Sequence, residues 1–412
     1  MEPIERIDPP GWVAEPAVAA VLAALGVDGA IVRFVGGCVR DTLLARPIGD
    51  IDIATPDPPD TVLTLLDAAA IKAVPTGIAH GTITAVVPPR HFEITTLRRD
   101  VENFGRHARV AFTDDWAADA ARRDFTMNAL FLDAAGRVFD PVGGLADLRA
   151  GRVRFVGDAA ARIREDVLRL LRFYRFHAHY GRGAPDAAAR RACRALAALL
   201  PGLSGERVAA ELLKLLAAPD PMPTIDLMAE DGVLAVLLPE ARRRDRLAGL
   251  VALEDAADPL RRLAALLVAD PDALQDVAAR LRLPGAARER LLRLAAPASA
   301  VDLAGDERAQ RRALHRLGLD TYRDLVLLRA GETGAAAAAR RLIEAAPRRL
   351  PPRFPLRGSD VTTRLGVPPG PAIGELLAAV ETWWEAQDFA ADRKTCLAHL
   401  AALARERGTI PP

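Results

Sequence analysis

The sequence predicts an α+β protein, with a mixed-sheet head at the N-terminus and an all-helical remainder. Three observations predict it. Between residues 31 and 150, short β-branched runs alternate with helix-like pieces such as Cys38 to Ala45 and Asp60 to Ala70. Those runs are IVRFV at 31–35, IDIA at 51–54, TITAVV at 82–87, FEITTL at 92–97 and RVFD at 137–140. From about Ala159 the strand signals stop, and Leu and Ala recur at helical spacing between Pro and Gly breaks, as in DVLRLLRFYRFHAHY, GERVAAELLKLLA and PLRRLAALLVA. The proline-rich stretch PRRLPPRFPLRG (347–358) sets off a last helical piece.

Composition sets the outer bounds. The chain has 412 residues, is 50% hydrophobic and 26% charged, and carries a net charge of +1, which excludes a disordered chain or a fibre. The expected division is a head at 1–150, a neck at 151–240, a body at 241–350 and a tail at 351–412. Cys38, Cys193 and Cys396 are odd in number and widely spaced, so they read as reduced thiols in a cytoplasmic protein. The N-terminus MEPIERIDPPGW lacks the basic region and apolar core of a signal peptide, and no apolar run is long enough to span a membrane. Residues 151–215 hold thirteen Arg/Lys against six Asp/Glu, a local excess of +7. That excess suits a nucleotide or RNA backbone, or simply a solvated helix face.

The first chemical signal is FVGGCVRDTLLARPIGDIDIA (34–54). A strand runs through Gly36-Gly37 into a helix, so backbone N–H groups and the helix N-terminus can face a phosphate, with Arg40 in reach. A tight strand-to-helix connection would use the same residues. Asp50 and Asp52, two apart on a strand, place their carboxylates on one face. Like charges so close favour a cation between them, and hard oxygen ligands suit Mg²⁺, which would activate an attacking hydroxyl and support a pyrophosphate leaving group. A solvent-facing edge strand is the plain alternative. Glu93, in FEITT, could add a third carboxylate or simply be exposed.

RRDFTMNAL (122–130) offers Arg122 and Arg123 for phosphate charge and Asp124 and Asn128 for ribose hydroxyls, the last two on one face if the segment is helical. An N-capped helix entering the core would look alike. REDVLRLLRFYRF (164–176), read as one helix, puts Asp166 and Arg169 three apart and Glu165 and Arg169 four apart, with Arg169, Arg172 and Arg175 in a stripe. A salt-bridged surface helix shares that pattern. As a pocket, an Asp acceptor beside an Arg donor complements the Watson–Crick edges of cytosine and adenine. Uracil and guanine would leave buried polar groups unpaired.

Taken in order, GGCVRD with D-I-D, RRDFTMNAL, DPVGGLADL (140–148), EDVLRLLRFYRF and GERVAAELLKLL (205–216) resemble the class II tRNA nucleotidyltransferases. These are the CCA-adding enzymes and bacterial poly(A) polymerases of the DNA polymerase beta superfamily. The likeness is dense over residues 31–240, and LRGSDVTTRLGVPPGPAIGELL (356–377) is similar to the family's tail segment. It implies a polymerase-beta-like nucleotidyltransferase head, with the neck reading the base and the body and tail holding tRNA. It implies Asp50 and Asp52 as metal ligands, Glu93 as a third carboxylate, Gly37 and Arg40 at the triphosphate, and Arg123 at the bound nucleotide. Asp166 and Arg169 would read the base, Glu165 would orient Arg169, and Arg172 and Arg175 would complete the site.

The implied activity is template-independent addition of C, C and A to the tRNA 3′ end from CTP and ATP, with Mg²⁺ as cofactor and neither DNA nor membrane as partner. TTLRRDVENFGRHARV (95–110) resembles the family's mobile loop linked to the switch from C to A, and Arg98, Asp100 and Arg106 in it argue against a CC-only enzyme. The alternative within the family is a poly(A) polymerase or A-adding enzyme. Outside it stand a small-molecule nucleotidyltransferase, disfavoured by the long helical region, and a catalytically dead RNA-binding protein, disfavoured by intact Asp50 and Asp52. The seven histidines include no His-Asp pair, so an appended phosphohydrolase domain is not indicated. His177 and His179 diverge by about 200° on a helix and read as packing or RNA-facing residues.

Overall fold

The computed structural model describes residues 1–104, 107–267, 270–295 and 301–409, with backbone alone at 28, 100–104, 107–109 and 295. Two compact units divide the chain: Met1–Ala241 with Arg280–Leu283, and Arg242–Ala279 with Pro284–Pro412.

The first unit opens with β1 (Glu5–Arg6), α1 (Pro16–Leu25), β2 (Arg33–Val35), α2 (Gly37–Leu43), β3 (Ile51–Thr55), α3 (Pro59–Ala68), β4 (Lys72–Gly77), β5 (Thr82–Val87) and β6 (Arg90–Thr96). A two-stranded hairpin, β7 (Arg98–Phe104) and β8 (His107–Phe112), is followed by α4 (Trp116–Ala121), β9 (Phe131–Leu132), β10 (Arg137–Phe139) and α5 (Gly144–Ala150). Eight strands form one sheet in the order β1-β10-β9-β2-β3-β6-β5-β4, and only β3 and β6 run parallel. The sheet is mixed, as expected.

Local chemistry explains the boundaries. In β3, Ile51 and Ile53 are buried while Asp52 between them is half-buried, the alternation of a strand with one face on a core. Pro59 starts α3 with its φ already helical. Two strand segments depart from expectation. β4, KAVPTG, carries Pro75 and Gly77, a pattern that hides a strand, and it is tolerated because β4 lies at the sheet edge with one neighbour. Within the stretch 95–110, expected as a mobile loop, residues 98–104 and 107–110 fall in the paired strands β7 and β8, with Arg98 opposite Phe112 and Phe104 opposite His107. Arg106 and the side chain of Asp100 lie outside the described residues.

The helical part of this unit comprises α6 (Ala159–Glu165), α7 (Leu168–Tyr180), α8 (Ala187–Leu196), α9 (Gly205–Leu216), α10 (Met222–Glu230) and α11 (Val233–Leu237). Asp158 and Asp186 cap α6 and α8 by accepting backbone N–H groups. An aromatic column locks α7 to the head: Phe125 lies 4.8 Å from Phe155 and 5.0 Å from Phe176, and Phe155 lies 6.0 Å from Phe173, centroid to centroid. At Gly205, a Cβ would stand 2.0 Å from the Arg280 carbonyl oxygen, so only glycine lets the 280–283 segment lie against the start of α9.

The second unit holds α12 (Arg244–Val251), α13 (Pro259–Leu266), α14 (Pro271–Arg280), α15 (Gly285–Ala295), α16 (Glu307–Leu317), α17 (Leu319–Thr333) and α18 (Ala336–Ala345), then α19 (Gly358–Leu365), α20 (Pro371–Ala386) and α21 (Arg393–Glu406). The last three bury a shared core around Trp384, Val361, Val380 and Leu400. Among the described residues no helix is long and apolar enough to cross a membrane.

Candidate active site

The strand-to-helix turn builds the floor of the site. Gly36 adopts φ +74°, a left-handed conformation that glycine alone takes without strain, and α2 starts at the next residue. A Cβ at Gly36 would lie 3.5 Å from Asp52 Oδ2 and 3.8 Å from Arg123 Nη1, so the bare backbone leaves the space between these charges open.

Register then assembles the carboxylates. Asp52 stands opposite Val35 on β2 and opposite Glu93 on β6, which makes Asp52 and Glu93 neighbours across the parallel pair. Burial first, and then the charge of Glu93, push the Asp52 carboxyl up to about 6 against the pull of Arg123. Asp50 sits just before β3, its side chain 80% exposed, and His91 Nε2 lies 3.7 Å from its Oδ1. The sequence shows no His-Asp pair, yet folding forms this one. Among the described residues no three Asp, Glu, His or Cys side chains converge closely enough to hold a metal. Asp52 and Glu93, neighbours on adjacent strands, and Asp50 just before β3 are nonetheless hard oxygen donors of the kind a divalent cation takes.

Beside this face opens a cavity of about 430 Å³. Gly36, Gly37, Arg40 and Asp52 line one wall, and Arg122, Arg123, Asp124 and Asn128 another. Asp166, Leu168, Arg169, Arg172, Phe176 and Arg207 close it from the helical side. Nine of the expected site residues are therefore brought together. Asp50, Glu93, Glu165 and Arg175 are not part of the lining.

Arg40 enters from α2 already engaged. Nε and Nη2 donate to the Asp41 carboxylate at 3.0 and 2.8 Å, Nη1 donates to Asn128 Oδ1 at 2.8 Å, and the guanidinium lies 4.2 Å from the Tyr180 ring centroid. The expected helix over RRDFTMNAL is not there: α4 ends at Ala121, and Thr126–Asn128 forms a single 3₁₀ turn. Asp124 and Asn128 still meet, with Asn128 Nδ2 donating to Asp124 Oδ1 at 3.0 Å. Asp124 Oδ2 accepts from Arg172 Nε and Nη2 at 2.8 and 2.5 Å. Burial alone would raise the Asp124 carboxyl, but Arg172 and Asn128 outweigh it and hold it below the ordinary value.

The second correction concerns residues 164–176, which are two helices rather than one. Glu165 ends α6, Asp166 is extended at φ −148° and ψ 106°, and α7 begins at Leu168. That break turns Asp166 toward the cavity, where its Oδ2 accepts from Arg207 Nη2 at 2.7 Å. Glu165 binds Arg169, as its spacing implied, and also accepts from Arg162 Nη1 at 2.8 Å. Arg169 further donates to the carbonyls of Arg162 and Arg122 at 3.1 and 3.4 Å. Arg175 points to Glu211, Nε to Oε2 3.1 Å, away from the cavity. His177 and His179 pack: His177 stacks on Phe173, and His179 contacts the Lys214 carbonyl at 2.7 Å. Cys38 is buried beside Asp52, and burial pushes its thiol up to about 12, which makes it inert.

Sequence reasoning missed Arg207, Phe176, Tyr180 and Asp119. Arg207 stood inside a quoted motif, but nothing along the chain ties it to Asp166. Asp119 carries no motif signal.

Two family models match, "Poly A polymerase head domain" at residues 32–154 and "Probable RNA and SrmB- binding site of polymerase A" at residues 184–244. The mitochondrial CCA tRNA nucleotidyltransferase 1 of Mus musculus is 33% identical over 379 residues, covering 89% of this chain and 86% of that protein. The CCA-adding enzyme of Geobacillus stearothermophilus is 34% identical over 358 residues, covering 84% and 87%. The crystal structure of the Bacillus stearothermophilus CCA-adding enzyme in complex with CTP superposes with a TM-score of 0.79 at 30% identity, covering 95% of this chain and 98% of that one.

Proposed function

The chain belongs to the family of CCA-adding tRNA nucleotidyltransferases, and on that premise we propose that it adds C, C and A to the 3′ end of tRNA from CTP and ATP, without a template and with release of pyrophosphate. The observation that carries the reading is the pairing at the helical wall of the cavity. Arg169 is held by Glu165 and two carbonyls, and Asp166 is held by Arg207. A donor and an acceptor so fixed present one pattern to an incoming base. Cytosine and adenine satisfy it, while uracil and guanine leave a buried group unpaired.

The remaining residues would act on the triphosphate and the acceptor end. Arg123, with Gly37 and Arg40, would face the phosphates, so catalysis is chiefly positioning and charge neutralisation. Asp124 and Asn128, spent on Arg172 and Arg40, would shape the ribose side through those arginines, and Arg175 would support Arg172 through Glu211. Asp50 and Asp52, with Glu93 beside them, would hold Mg²⁺. Bound there, the ion would supply Lewis-acid charge for the attacking hydroxyl and the departing pyrophosphate. Head, neck, body and tail at the expected boundaries, with body and tail gripping tRNA by backbone and shape, belong to the same proposal. So does a cytoplasmic setting, although a mitochondrial relative shows that the family works elsewhere too.

The test is a tRNA transcript ending at the discriminator base, incubated with Mg²⁺ and each labelled nucleotide, with Asp50→Ala/Asp52→Ala as the blank. Two C additions with CTP, and a third nucleotide only when ATP joins it, support the reading. A long ladder with ATP alone marks a poly(A) polymerase, and A added only to tRNA ending in CC marks an A-adding enzyme. No incorporation points to a small acceptor.

A further inference from the structure

Behind the cavity, outside its lining, one carboxylate serves both of its adjacent arginines. Asp119 lies on α4 with its side chain 1% exposed. Its Oδ1 accepts from Arg122 Nε and Nη2 at 2.8 and 2.6 Å, and its Oδ2 accepts from Arg123 Nε and Nη2 at 3.2 and 2.8 Å. The same Oδ1 accepts the backbone N–H of Arg98, the first residue of β7, at 3.3 Å. Three elements therefore converge on one buried group: the root of the hairpin, and the two arginines of the RRD turn.

The consequences run forward into the site from both arginines. Arg123 lines the cavity together with Asp52, and Arg122 supplies the carbonyl that accepts from Arg169. A free arginine side chain must give up its rotamer freedom to hold an anion. Two bidentate bonds to one carboxylate remove much of that freedom before any nucleotide arrives. Burial would raise the Asp119 carboxyl, but Arg123 and Arg122 outweigh it and keep it ionised.

We propose that Asp119 is a positioning residue for the nucleotide site: it pre-organises Arg122 and Arg123 for the incoming triphosphate and ties their position to the root of the β7–β8 hairpin. The proposal rests on the nucleotidyl-transfer reading above. It requires that loss of Asp119 act on nucleotide affinity through the arginines rather than through stability alone.

The experiment measures steady-state addition of CTP and ATP to tRNA by Asp119→Asn, which keeps the side-chain shape and removes the charge. KM for both nucleotides is expected to rise about tenfold, with kcat changed by less than about threefold, the pattern of lost ground-state binding. In a mutant cycle, adding Asp119→Asn to Arg122→Gln/Arg123→Gln is expected to leave KM no higher than in Arg122→Gln/Arg123→Gln alone. Asp231→Asn is the control, because Asp231 is equally buried and accepts from Tyr174, Arg190 and Arg194, none of which lines the cavity. It is expected to lower the melting temperature while leaving KM unchanged. Should Asp119→Asn not fold, Asp119→Ala carries the same readouts. A wild-type KM in the Asp119 variant, effects that multiply in the cycle, or a KM shift matched by Asp231→Asn would each overturn the proposal. A wild-type chain that neither binds nor incorporates CTP overturns the transfer reading, and this proposal with it.

Discussion

Arg207 on α9 donates to Asp166 at 2.7 Å across 41 positions of sequence. The contact explains why a carboxylate in an extended break between two helices keeps one orientation. Arg207→Met removes the guanidinium anchor while keeping most of the unbranched apolar stem. Asp166 then samples other rotamers, and the penalty for presenting it with a carbonyl falls. We expect UTP misincorporation to rise about tenfold relative to CTP, a change of about 1.4 kcal/mol in discrimination. Competition between labelled UTP and CTP at a single turnover measures it, and an unchanged ratio would sink the idea.

Asp124 and Arg172 supply a pH-dependent link between the RRD turn and α7. The Asp124 carboxyl is held below its unfolded value of about 3.9. A group depressed in this way stabilises the fold at pH above the unfolded value, and that stability is lost as pH falls through the folded value. Asp124→Asn is expected to cost about 2 kcal/mol at neutral pH, because it leaves Arg172 only the looser pairing with Glu211 at 3.8 Å. The variant should also lose less of its remaining stability than wild type between about pH 5 and about pH 3. Urea unfolding at several pH values tests both statements, and parallel pH curves for the two proteins would refute the link.

The carboxylate face carries a prediction that needs no turnover. If Asp50 and Asp52 hold a divalent cation, Mg²⁺ binds the folded state preferentially and raises the melting temperature with concentration. Asp50→Asn/Asp52→Asn is expected to lose that response. Because it also relieves repulsion among Asp50, Asp52 and Glu93, the metal-free variant should melt no lower than metal-free wild type. A melting curve that responds equally to Mg²⁺ in both proteins would place the ion elsewhere.

In the second unit, α12 and α17 touch through glycines. A Cβ on Gly331 would lie 2.7 Å from the Leu250 backbone nitrogen, and one on Gly249 would lie 2.0 Å from the Gly331 carbonyl oxygen. Gly331→Ala should therefore push the helices apart and cost more than about 2 kcal/mol. At Gly374, inside α20, an added Cβ would meet nothing within 4 Å. There the same substitution should stabilise by about 0.5–1 kcal/mol through helix propensity. Thermal unfolding of both variants separates packing from propensity.

Readable along the chain were the features that depend on near neighbours. The β-branched runs marked β3, β5 and β6, and the i, i+4 spacing of Glu165 and Arg169 marked an ion pair that forms. Asp50 and Asp52 stood out along the chain by their two-residue spacing, although Asp50 falls just before β3. The +7 excess of residues 151–215 was visible too, but its meaning was not. Arg162, Arg169, Arg172, Arg175, Arg190, Arg194 and Arg207 all find carboxylate partners, so much of that charge is internal structure.

Folding alone decided the rest. A helical reading of 164–176 was reasonable on spacing, yet the folded chain breaks at Asp166, and α7 docks through Phe173 and Phe176 on Phe125 and Phe155. Register between β3 and β6 set Glu93 beside Asp52, and a shift of one residue would have sent it to the other face. Arg207 with Asp166, and Asp119 with Arg98, are partners chosen by packing. Local periodicity constrains each segment's own backbone, whereas a contact between distant segments depends on the whole set of buried surfaces that brings them together.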